Sequence, residues 1–323
     1  MNLQQLRYVH EVARRGRYVV EVVRAGLNVS EAADALYTSQ PGVSKQIRLL
    51  EEELGIEIFV RHGKRLTGVT EPGRQVLAIA ERMLGEVDSL KKVGAEFSNE
   101  SEGQLNIATT HTQARYALPR VIQAFVQKFP GVRLTLHQGS PRQICEWVLD
   151  GEADLAIATE SVGETEGLVS LPSYQWNRCV IATPRHPILK TTPLTLEEIA
   201  KYPIVTYDTT FAGRSEVNRA FLGRGLKPNV VLAAMDADVI KTYVAMDLGI
   251  GLIASIAYDP IVDRRIGAVD ASHLFSSAVT RIGIRKNAYL RGYVYGFIEL
   301  MSSHLTRRVV DAALVGGGSD AGL

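Results

Sequence analysis

Apolar and polar positions alternate at helical spacing over residues 27–54, which predicts two short helices joined by a polar turn at residues 37–40. Ser30 is expected to be the N-cap of the first helix, in which the small residues Ala32 and Ala33 suit a close helix crossing. In the second helix, the apolar positions recur every three or four residues and so share one face: Val43, Ile47, Leu50 and Leu54.

Both ends of the second helix carry recognisable signals. Pro41 suits a first helical turn, where its missing N–H costs nothing, and Thr38 or Ser39 lies just upstream as an N-cap. Gly55 follows the last apolar residue and suits a left-handed C-terminal stop. We therefore expect a helix from about Gln40 to about Leu54.

The opposite face of this helix is polar and basic. In a helix-turn-helix, such side chains at the start of the second helix can reach base edges and phosphates in the major groove of DNA. An ordinary helical hairpin with a solvated charged face is the alternative for this segment alone. The predicted DNA contacts are Ser39, Gln40, Pro41, Ser44, Lys45 and Arg48.

A basic hairpin is predicted directly after the helix pair. Short apolar strands at residues 56–60 and 66–70 flank a tip that contains Gly63. This pattern is typical of a wing that lies along DNA phosphates, and a surface hairpin charged for solubility is the alternative. The predicted phosphate contacts are Arg61, Lys64 and Arg65.

An internal repeat precedes these elements. Residues 7–16, RYVHEVARRG, are followed at once by residues 17–26, RYVVEVVRAG, with seven of ten positions identical. Ten residues advance a helix by about 1000°, roughly 80° short of three whole turns, so one straight helix cannot present both copies to the same partner. We expect the second copy to pack in the domain, and the first copy to protrude or to bend at Gly16.

A long helix is predicted over residues 72–97. Its apolar residues follow the four-three alternation of a dimerisation seam: Val76, Ala80, Met83, Val87 and Leu90. An amphipathic helix lying on its own domain is the alternative. Because residues 98–103, SNESEG, have linker composition, the predicted divisions are a DNA-binding domain at 1–70, a linker and dimerisation helix at 71–100, and a further domain at 101–314.

Beyond residue 103, apolar strands alternate with amphipathic helices, which predicts an α/β domain with parallel sheets covered on both faces. Two such sets predict two doubly wound lobes, the architecture of periplasmic binding proteins. Crossing segments at residues 174–180 and 278–283 would leave a cleft between the lobes. The predicted parts are lobe I at 101–174 and 280–314, lobe II at 175–279, and a disordered Gly-rich tail at 315–323.

Polar residues end the strands that would border this cleft, where open α/β sheets bind their ligands. Thr159 ends the third strand of lobe I, and Asp236, Ala237 and Asp238 open a helix of lobe II. The first strand ends in polar side chains at a helix start, where backbone N–H groups favour an anion: Thr109, Thr110, His111, Thr112 and Gln113. N-capping needs only one of these hydroxyls, so we expect a small anionic ligand.

Composition narrows the function classes. A chain of 323 residues suits two or three domains, and a net charge of +1 means that DNA binding requires cations gathered on one face. Neither an apolar run of about 18 residues nor a signal-peptide core is present, so no membrane span or secretion signal is predicted. Cys145 and Cys179 are expected to be free buried thiols, with a disulfide as the alternative.

Catalytic and metal motifs are weak throughout. Ser89 and Lys92 form an S-x-x-K pair without a partner motif, and residues 249–254 fit G-x-G-x-x-A but lead into a strand, the reverse of a dinucleotide fingerprint. The seven His and two Cys lack metal-ligand spacing, and His111 has no titratable neighbour within its turn. We therefore expect no enzyme activity, metal or cofactor.

The order of these elements, with YTSQPGVSKQIRLLEEELGIEIF at residues 37–59, resembles the LysR-type transcriptional regulators over essentially the whole chain. Further strings resemble the branch of this family that contains the cysteine-regulon activator and its sulfonate-utilisation paralogue. These strings are TTHTQARYALP at 109–119, HQGSP at 137–141, IATE at 157–160, WNR at 176–178, GRSE at 213–216, MDADVIKTYV at 235–244 and HLTRRVVDAAL at 304–314.

The resemblance implies a cytoplasmic homotetrameric activator of sulfur-assimilation genes that binds promoter DNA and contacts RNA polymerase. Its effector would be N-acetylserine, O-acetylserine or a sulfate-like anion. The branch has Phe-Thr-Gly where this chain has Phe211, Ala212 and Gly213, so Thr209 or Thr210 would have to replace a missing hydroxyl, and the branch has one copy of the repeated helix. The anion contacts carried over are Thr110, Thr112, Gln113, Thr159, Trp176 and the backbone around Ala237.

The implied mechanism is binding linkage, in which an effector with unequal affinity for two arrangements of the lobes shifts the placement of paired DNA-binding heads. Alternatives within the family are a regulator of sulfonate utilisation or one retuned to another small anion. Outside it, a two-lobed solute-binding protein would need a signal peptide, and an enzyme would need catalytic groups in the cleft.

Overall fold

The computed structural model describes residues 1–19, 29–63, 65–98, 102–208 and 212–316. The chain divides into two compact units, Met1–Gly94 and Ala95–Leu323. The division falls inside a long helix, a few residues before the linker predicted at 98–103. The predicted disordered tail lies mostly outside the described residues, because the final helix is described only to Gly316.

The first unit is a helical domain with a two-stranded hairpin. Its buried apolar residues form one cluster to which every element contributes. In chain order the elements are α1 Leu3–Val19, α2 Val29–Ala35, α3 Gln40–Leu54, β1 Phe59–His62, β2 Arg65–Val69 and α4 Glu71–Ser98.

The helix α3 has the bounds predicted from its capping signals. Ser39 is the N-cap and its hydroxyl accepts the Gly42 N–H at 3.3 Å, and Gly55 ends the helix in the left-handed conformation with φ 68°. Val43, Ile47 and Leu50 are fully buried as predicted, but the prediction for Leu54 is wrong because it is exposed. Glu51 takes that place on the buried face, since the chain turns after Gly55 and brings backbone N–H groups onto its carboxylate.

The helix α2 and the following turn differ slightly from prediction. Ser30 lies inside α2 rather than at its N-cap, because the helix already includes Val29. The turn occupies residues 36–39, one residue earlier than predicted, and Tyr37 adopts a positive φ of 50° within it. Ala32 and Ala33 are buried as expected at the crossing with α3.

The expectation that the first repeat copy protrudes is wrong. Tyr8, Val9 and Val12 of that copy, with Leu6 before it, are buried in the core of the first unit. Leu6, Val9 and Ala13 follow the three-four spacing of one helical face, so the first copy by itself presents a complete apolar stripe. Most of the second copy, residues 20–26, lies outside the described residues.

The helix α4 combines both alternatives considered for it. Leu77 and Ala80 are buried against the first unit, and Val76 packs beside them. Further along, Met83 is 38% exposed and Leu90 is 71% exposed. The beginning of α4 therefore packs on its own domain, while the later seam positions present apolar side chains outward.

The second unit contains two lobes, each built on a five-stranded sheet. In lobe I the sheet order is β4-β3-β5-β12-β6, and β3 is parallel to β4 and β5. The elements of lobe I are β3 Gly103–Thr109, a π-helical turn Gln113–Ala117, α5 Leu118–Lys128, β4 Val132–Gln138, α6 Pro141–Leu149, β5 Leu155–Ala158, β6 Leu168–Trp176, β12 Ala278–Arg285, α10 Gly292–Met301 and α11 Arg307–Gly316.

Lobe II repeats this plan with sheet order β11-β7-β10-β8-β9, in which β8 is parallel to β10 and β9. Three 3₁₀ turns, Pro187–Lys190, Ser255–Ala257 and Ser272–Leu274, complete it. Its regular elements are β7 Arg178–Ala182, α7 Leu196–Ala200, β8 Ile204–Tyr207, α8 Ala212–Gly223, β9 Val230–Ala234, α9 Ala237–Ala245, β10 Ile250–Ala254 and β11 Gly267–Asp270.

Both sheets are mixed rather than wholly parallel, which corrects the prediction. The strand β12 is antiparallel to β5 and β6, and β7 is antiparallel to β10 and β11. These are the strands by which the chain crosses between lobes, so no helical crossover fixes their direction. The chain leaves lobe I between Trp176 and Arg178, and returns at β12.

The lobes carry separate apolar cores on both faces of their sheets. Cys145 and Cys179 are buried and free, as predicted. Burial raises the pKa of the Cys179 thiol to about 12. Within the described residues, no helix is both long enough and apolar enough to cross a membrane.

Candidate DNA-binding and effector sites

The polar face of α3 lies on the surface of the first unit. Gln40, Lys45 and Arg48 are exposed, while Val43 and Ile47 anchor the helix from behind. A shallow depression of about 330 Å³ runs along this face and contains four of the predicted DNA contacts. It is lined by Pro41, Ser44, Lys45, Arg48, Leu49 and Glu52.

The hairpin β1–β2 forms the predicted wing. Its strands are antiparallel with a bulge between Val60 and Arg61, and Gly63 adopts a left-handed φ of 62° at the tip. Arg65 is exposed beside the tip, and Lys64 lies outside the described residues. The wing therefore presents the Arg65 cation at its end.

Arg61 occupies a different place from the one predicted. Its guanidinium lies 2.5 Å from the carboxylate of Glu51, which is buried under the start of the wing. The same carboxylate accepts the backbone N–H groups of Ile58 at 2.9 Å and Phe59 at 3.2 Å. Arg61 thus neutralises a buried acid that ties α3 to β1, and this contact supports a structural role for it rather than a phosphate contact.

Three predicted effector residues meet in the wall of lobe I. The indole N–H of Trp176 donates to the hydroxyl of Thr159 at 3.1 Å, and the side-chain N–H of Gln113 donates to the hydroxyl of Thr280 at 3.2 Å. The two threonine hydroxyls lie 3.4 Å apart, so they join these pairs into one chain. Gln113, Thr159 and Trp176 therefore form a connected polar wall with Thr280.

The remaining threonines of the first strand end differ from one another. Thr109 is fully buried and its hydroxyl donates to the Ile157 carbonyl at 2.8 Å, which commits it to the sheet and does not support its predicted role in ligand binding. Thr110 is buried, and within the described residues its hydroxyl has no hydrogen-bond partner. Thr112 hydrogen-bonds Tyr207 of lobe II.

Asp236, Ala237 and Asp238 open α9 as predicted. Asp236 is the N-cap and its carboxylate accepts the Val239 N–H at 2.8 Å, while Ala237 is fully buried. The ring Nε2 of His111 lies 2.9 Å from Asp238 Oδ2, and ligand atoms of His111, Asp236 and Asp238 lie within 4.8 Å of one another. The structure thus brings predicted residues of both lobes together, whereas Thr210 lies outside the described residues.

The charges around Asp238 are balanced by cations. Lys241 Nζ lies 3.5 Å from Oδ1 and Arg115 Nε lies 3.8 Å from Oδ2. Burial by itself would raise the pKa of Asp238, but hydrogen bonds from His111 and Tyr116 and the charge of Lys241 outweigh it and lower that pKa. This arrangement is an ion-pair network, and two neighbouring cations oppose the binding of a metal ion.

A buried cation lies at the first crossing between lobes. Arg178 is 5% exposed and its guanidinium carbon is 5.3 Å from the Trp176 ring and 5.8 Å from the Phe275 ring. One of its terminal N–H groups donates to the Ser276 carbonyl at 3.2 Å. Burial lowers the pKa of Arg178, and the carboxylates of Glu160 and Glu216 oppose that shift.

Sequence reasoning missed four residues of this region. Thr280, Tyr174 and Arg178 lie in the two predicted crossing segments, so those segments carried the signal although no residue in them except Trp176 was selected. The Tyr174 hydroxyl donates to Gln113, and burial raises the pKa of Tyr174. Tyr116 carried no signal, because its role depends on contact with the other lobe.

Comparisons with known proteins agree with this architecture. The family model of the LysR substrate binding domain matches residues 98–306, and that of the bacterial regulatory helix-turn-helix protein, lysR family, matches residues 14–74. The chain belongs to the LysR family. As a LysR-type transcriptional regulator, it carries its DNA-binding helix-turn-helix in the first unit and its effector-binding lobes in the second.

Several named regulators of this family are similar over nearly the whole chain. The transcriptional regulator CysB of Burkholderia cenocepacia is 51% identical over 316 residues, covering 98% of each chain. SsuR of the same organism is 50% identical over 314 residues, covering 97% of this chain and 99% of SsuR. The crystal structure of the cofactor-binding domain of the Cbl transcriptional regulator matches 67% of this chain and 95% of its own, with 42% identity and a TM-score of 0.65.

Proposed function

We propose that this LysR-type regulator activates sulfur-assimilation and cysteine-biosynthesis genes from the cytoplasm in response to a small anion bound between its lobes. The strings shared with the cysteine-regulon branch support this assignment, and so does the identity of 51% to CysB over nearly the full chain. The effector would be N-acetylserine, O-acetylserine or a sulfate-like anion.

The polar wall of lobe I is the observation that carries the effector proposal. Trp176, Thr159, Thr280 and Gln113 form an unbroken hydrogen-bonded row, and the buried Thr110 hydroxyl has no partner within the described residues. Neutral donors held in place by one another suit an anion whose oxygens accept hydrogen bonds. Backbone N–H groups at the start of α9 around Ala237 supply further donors from lobe II.

Assembly through α4 is part of the proposal. The outward-facing Met83 and Leu90 would pack against a second copy and would present two α3 helices to a two-fold operator. Pairing of two such dimers would give the tetramer that the family resemblance implies. Contact with RNA polymerase would then follow from the way in which the effector alters the bound DNA.

Regulation of sulfonate-utilisation genes is the second candidate. The similarity of 50% to SsuR covers as much of the chain as the similarity to CysB, so identity alone does not separate the two functions. The effector separates them, because a change of effector requires a change in the wall around Thr159 and Trp176.

A ligand screen tests the proposed effector class. Thermal unfolding of the purified full chain is measured with N-acetylserine, O-acetylserine, sulfate, thiosulfate and adenylyl sulfate. A ligand at 100 times its Kd raises the stability of the binding unit by about 2.7 kcal/mol, which is a readily measured shift. The proposal predicts a saturable shift with at least one acetylserine or sulfate-like anion, and no shift with any of the five contradicts it.

Replacing Thr110 and Thr112 together by Ala is expected to weaken effector binding by about 10-fold or more, because each buried hydroxyl lost is worth about 1 kcal/mol or more to an anion. Operator affinity without effector should stay near that of the unchanged chain. Calorimetry and a DNA titration measure the two quantities. Thr191→Ala is the control, since its hydroxyl donates only within its own loop to Pro187; equal loss of both affinities would argue against a separate sensor site.

A further inference from the structure

A single carboxylate joins the two lobes across the cleft. Asp238 is the second residue of α9 in lobe II, yet both of its oxygens are engaged by lobe I. Oδ1 accepts the Tyr116 hydroxyl at 2.6 Å, and Oδ2 lies 2.9 Å from His111 Nε2. Both partners belong to the helical segment that follows β3, the same segment that carries Thr110 and Gln113.

Each partner is itself held in position within its own lobe or against the other. The second ring nitrogen of His111 lies 3.2 Å from the side-chain oxygen of Gln138 at the end of β4. The ring of Tyr116 packs against the apolar cluster of lobe II that contains Ile240 and Val244. Tyr116 therefore reaches across the cleft, and Asp238 binds the polar end of a side chain whose body already lies on lobe II.

Lobe II supports the carboxylate from beneath through Lys241. Its ammonium is buried, donates to the Ala257 carbonyl at 3.0 Å and lies 3.1 Å from the carboxylate of Asp263. The same ammonium lies 3.5 Å from Asp238 and 4.9 Å from the centre of the Tyr116 ring. Asp238 thus links a fixed cation in lobe II with two fixed groups in lobe I, so its contacts depend on the relative position of the lobes.

We propose that Asp238 is the latch that holds α9 of lobe II against the His111–Tyr116 segment of lobe I, and so sets the population of the joined arrangement in which the effector site is complete. The latch rests on the proposed function, because it deepens how that site is regulated. Thr110 and Gln113 lie on one side of the latch and Ala237 on the other, so release of Asp238 separates donors that must act together. Asp238 is a positioning residue and need not touch the effector.

The test measures the distance between the lobes without any effector. Spin labels are placed on exposed positions of lobe I and lobe II with Gln127→Cys and Arg224→Cys, and the buried Cys145 and Cys179 leave these sites selectively labelled. Pulsed electron resonance then gives the distance distribution. Asp238→Asn, which keeps the shape but removes the charge, is expected to broaden the distribution and move its mean, whereas an unchanged distribution would overturn the latch.

Matched variants exclude a general loss of structure. Asp270→Asn is the control, since the Asp270 carboxylate is exposed and accepts only from Ser272 within lobe II, and it should leave the distances unchanged. Tyr116→Phe removes one latch contact and should shift the distribution in the same direction. Combined with Asp238→Asn, it should add less than the sum of the two single changes, because both break one interaction. Additive shifts would show that the two groups act separately and would contradict the latch.

Effector binding supplies a second readout. If the joined arrangement falls to about one tenth of the population, the apparent Kd for the acetylserine or sulfate ion found in the screen rises about 10-fold. The two proposals fail in different ways. A distance shift without binding of any screened ligand would leave the latch standing and contradict the effector, whereas binding with unchanged distances would contradict the latch alone.

Discussion

Arg48 is the side chain on which DNA recognition depends most directly. It is exposed in the depression along α3, two turns into the helix and behind Ser44 and Lys45. Arg48→Ala is expected to weaken operator binding by about 10- to 100-fold, the value of one base or phosphate contact of about 1–3 kcal/mol. Fluorescence anisotropy with labelled operator measures this loss.

The control for that measurement lies in the other unit. Arg142 of α6 is also exposed and pairs only loosely on the surface with Glu146, so Arg142→Ala should leave operator binding unchanged. Effector affinity should be unchanged in both variants. Operator binding that survives Arg48→Ala intact would remove α3 from the role of recognition helix.

Glu51 determines whether the wing stays attached to α3. Replacing it by Ala would leave the Ile58 and Phe59 N–H groups and the Arg61 guanidinium without their acceptor, at a cost of about 2 kcal/mol. Hydrogen exchange of the Ile58 and Phe59 amides should accelerate accordingly. Glu53→Ala serves as the control, because Glu53 pairs with the chain terminus on an exposed surface and such pairs contribute little; equal exchange in the two variants would contradict this role for Glu51.

Individual residues show how far sequence patterns extend. Gln113, Thr159 and Trp176 were selected from strand ends and from the resemblance, and the structure joins them through Thr280. The Glu51–Arg61 and Tyr116–Asp238 contacts were not predicted, since periodicity records which face of an element is apolar but not which distant polar groups pair. Thr109 and Thr110 are adjacent hydroxyls that only strand pairing separates into a sheet contact and a cleft residue.

At the scale of elements, the repeat at the N-terminus is the largest difference between expectation and structure. The first copy fills the core through Val9 and Val12, whereas the family model begins at residue 14 and so covers the second copy. Both copies carry the same Tyr-Val-x-x-Glu-Val pattern, so their local sequence cannot determine which copy packs. Only the connection to α2 and the contacts of Leu6 distinguish them.

Val12→Asp tests which copy is used. Burying an unpaired carboxylate at this fully buried position should destabilise the first unit by about 3 kcal/mol or more and abolish operator binding. Arg7→Asp, at an exposed position of the same helix, should be tolerated. Circular dichroism and operator titration give the answer, and a chain that tolerates Val12→Asp but fails with Val22→Asp would show that the second copy packs instead.

The strands missed by sequence have an equally physical explanation. The strand β6 contains Pro172, which argues against a central strand, and the structure places β6 at the edge of its sheet, where proline is tolerated. The pairing of β6 with β12 also shifts register beside Pro172. Edge position and antiparallel crossing both depend on long-range topology, so the helix and strand patterns predicted two lobes but not their mixed sheets.

At the scale of the whole molecule, a net charge of +1 requires that DNA binding and effector binding use separate surfaces. Exposed cations gather on α3 and at the wing tip, while the cleft is lined with neutral donors and a balanced ion-pair network around Asp238. Two sites in one chain become regulatory only if binding at one changes affinity at the other. That coupling is the central claim of the proposed function.

Reciprocal linkage tests this claim most directly. Operator affinity is titrated with and without saturating effector, and effector affinity is titrated with and without saturating operator, using promoter fragments of sulfur-assimilation genes and the acetylserine or sulfate-like ion identified in the screen. Thermodynamic linkage requires the two affinity ratios to be equal, and a coupling of about 1–3 kcal/mol makes each about 5- to 150-fold. The account predicts equal ratios that differ from one and fall toward one in Asp238→Asn. Effector and operator that bind with full affinity and no mutual effect would contradict it.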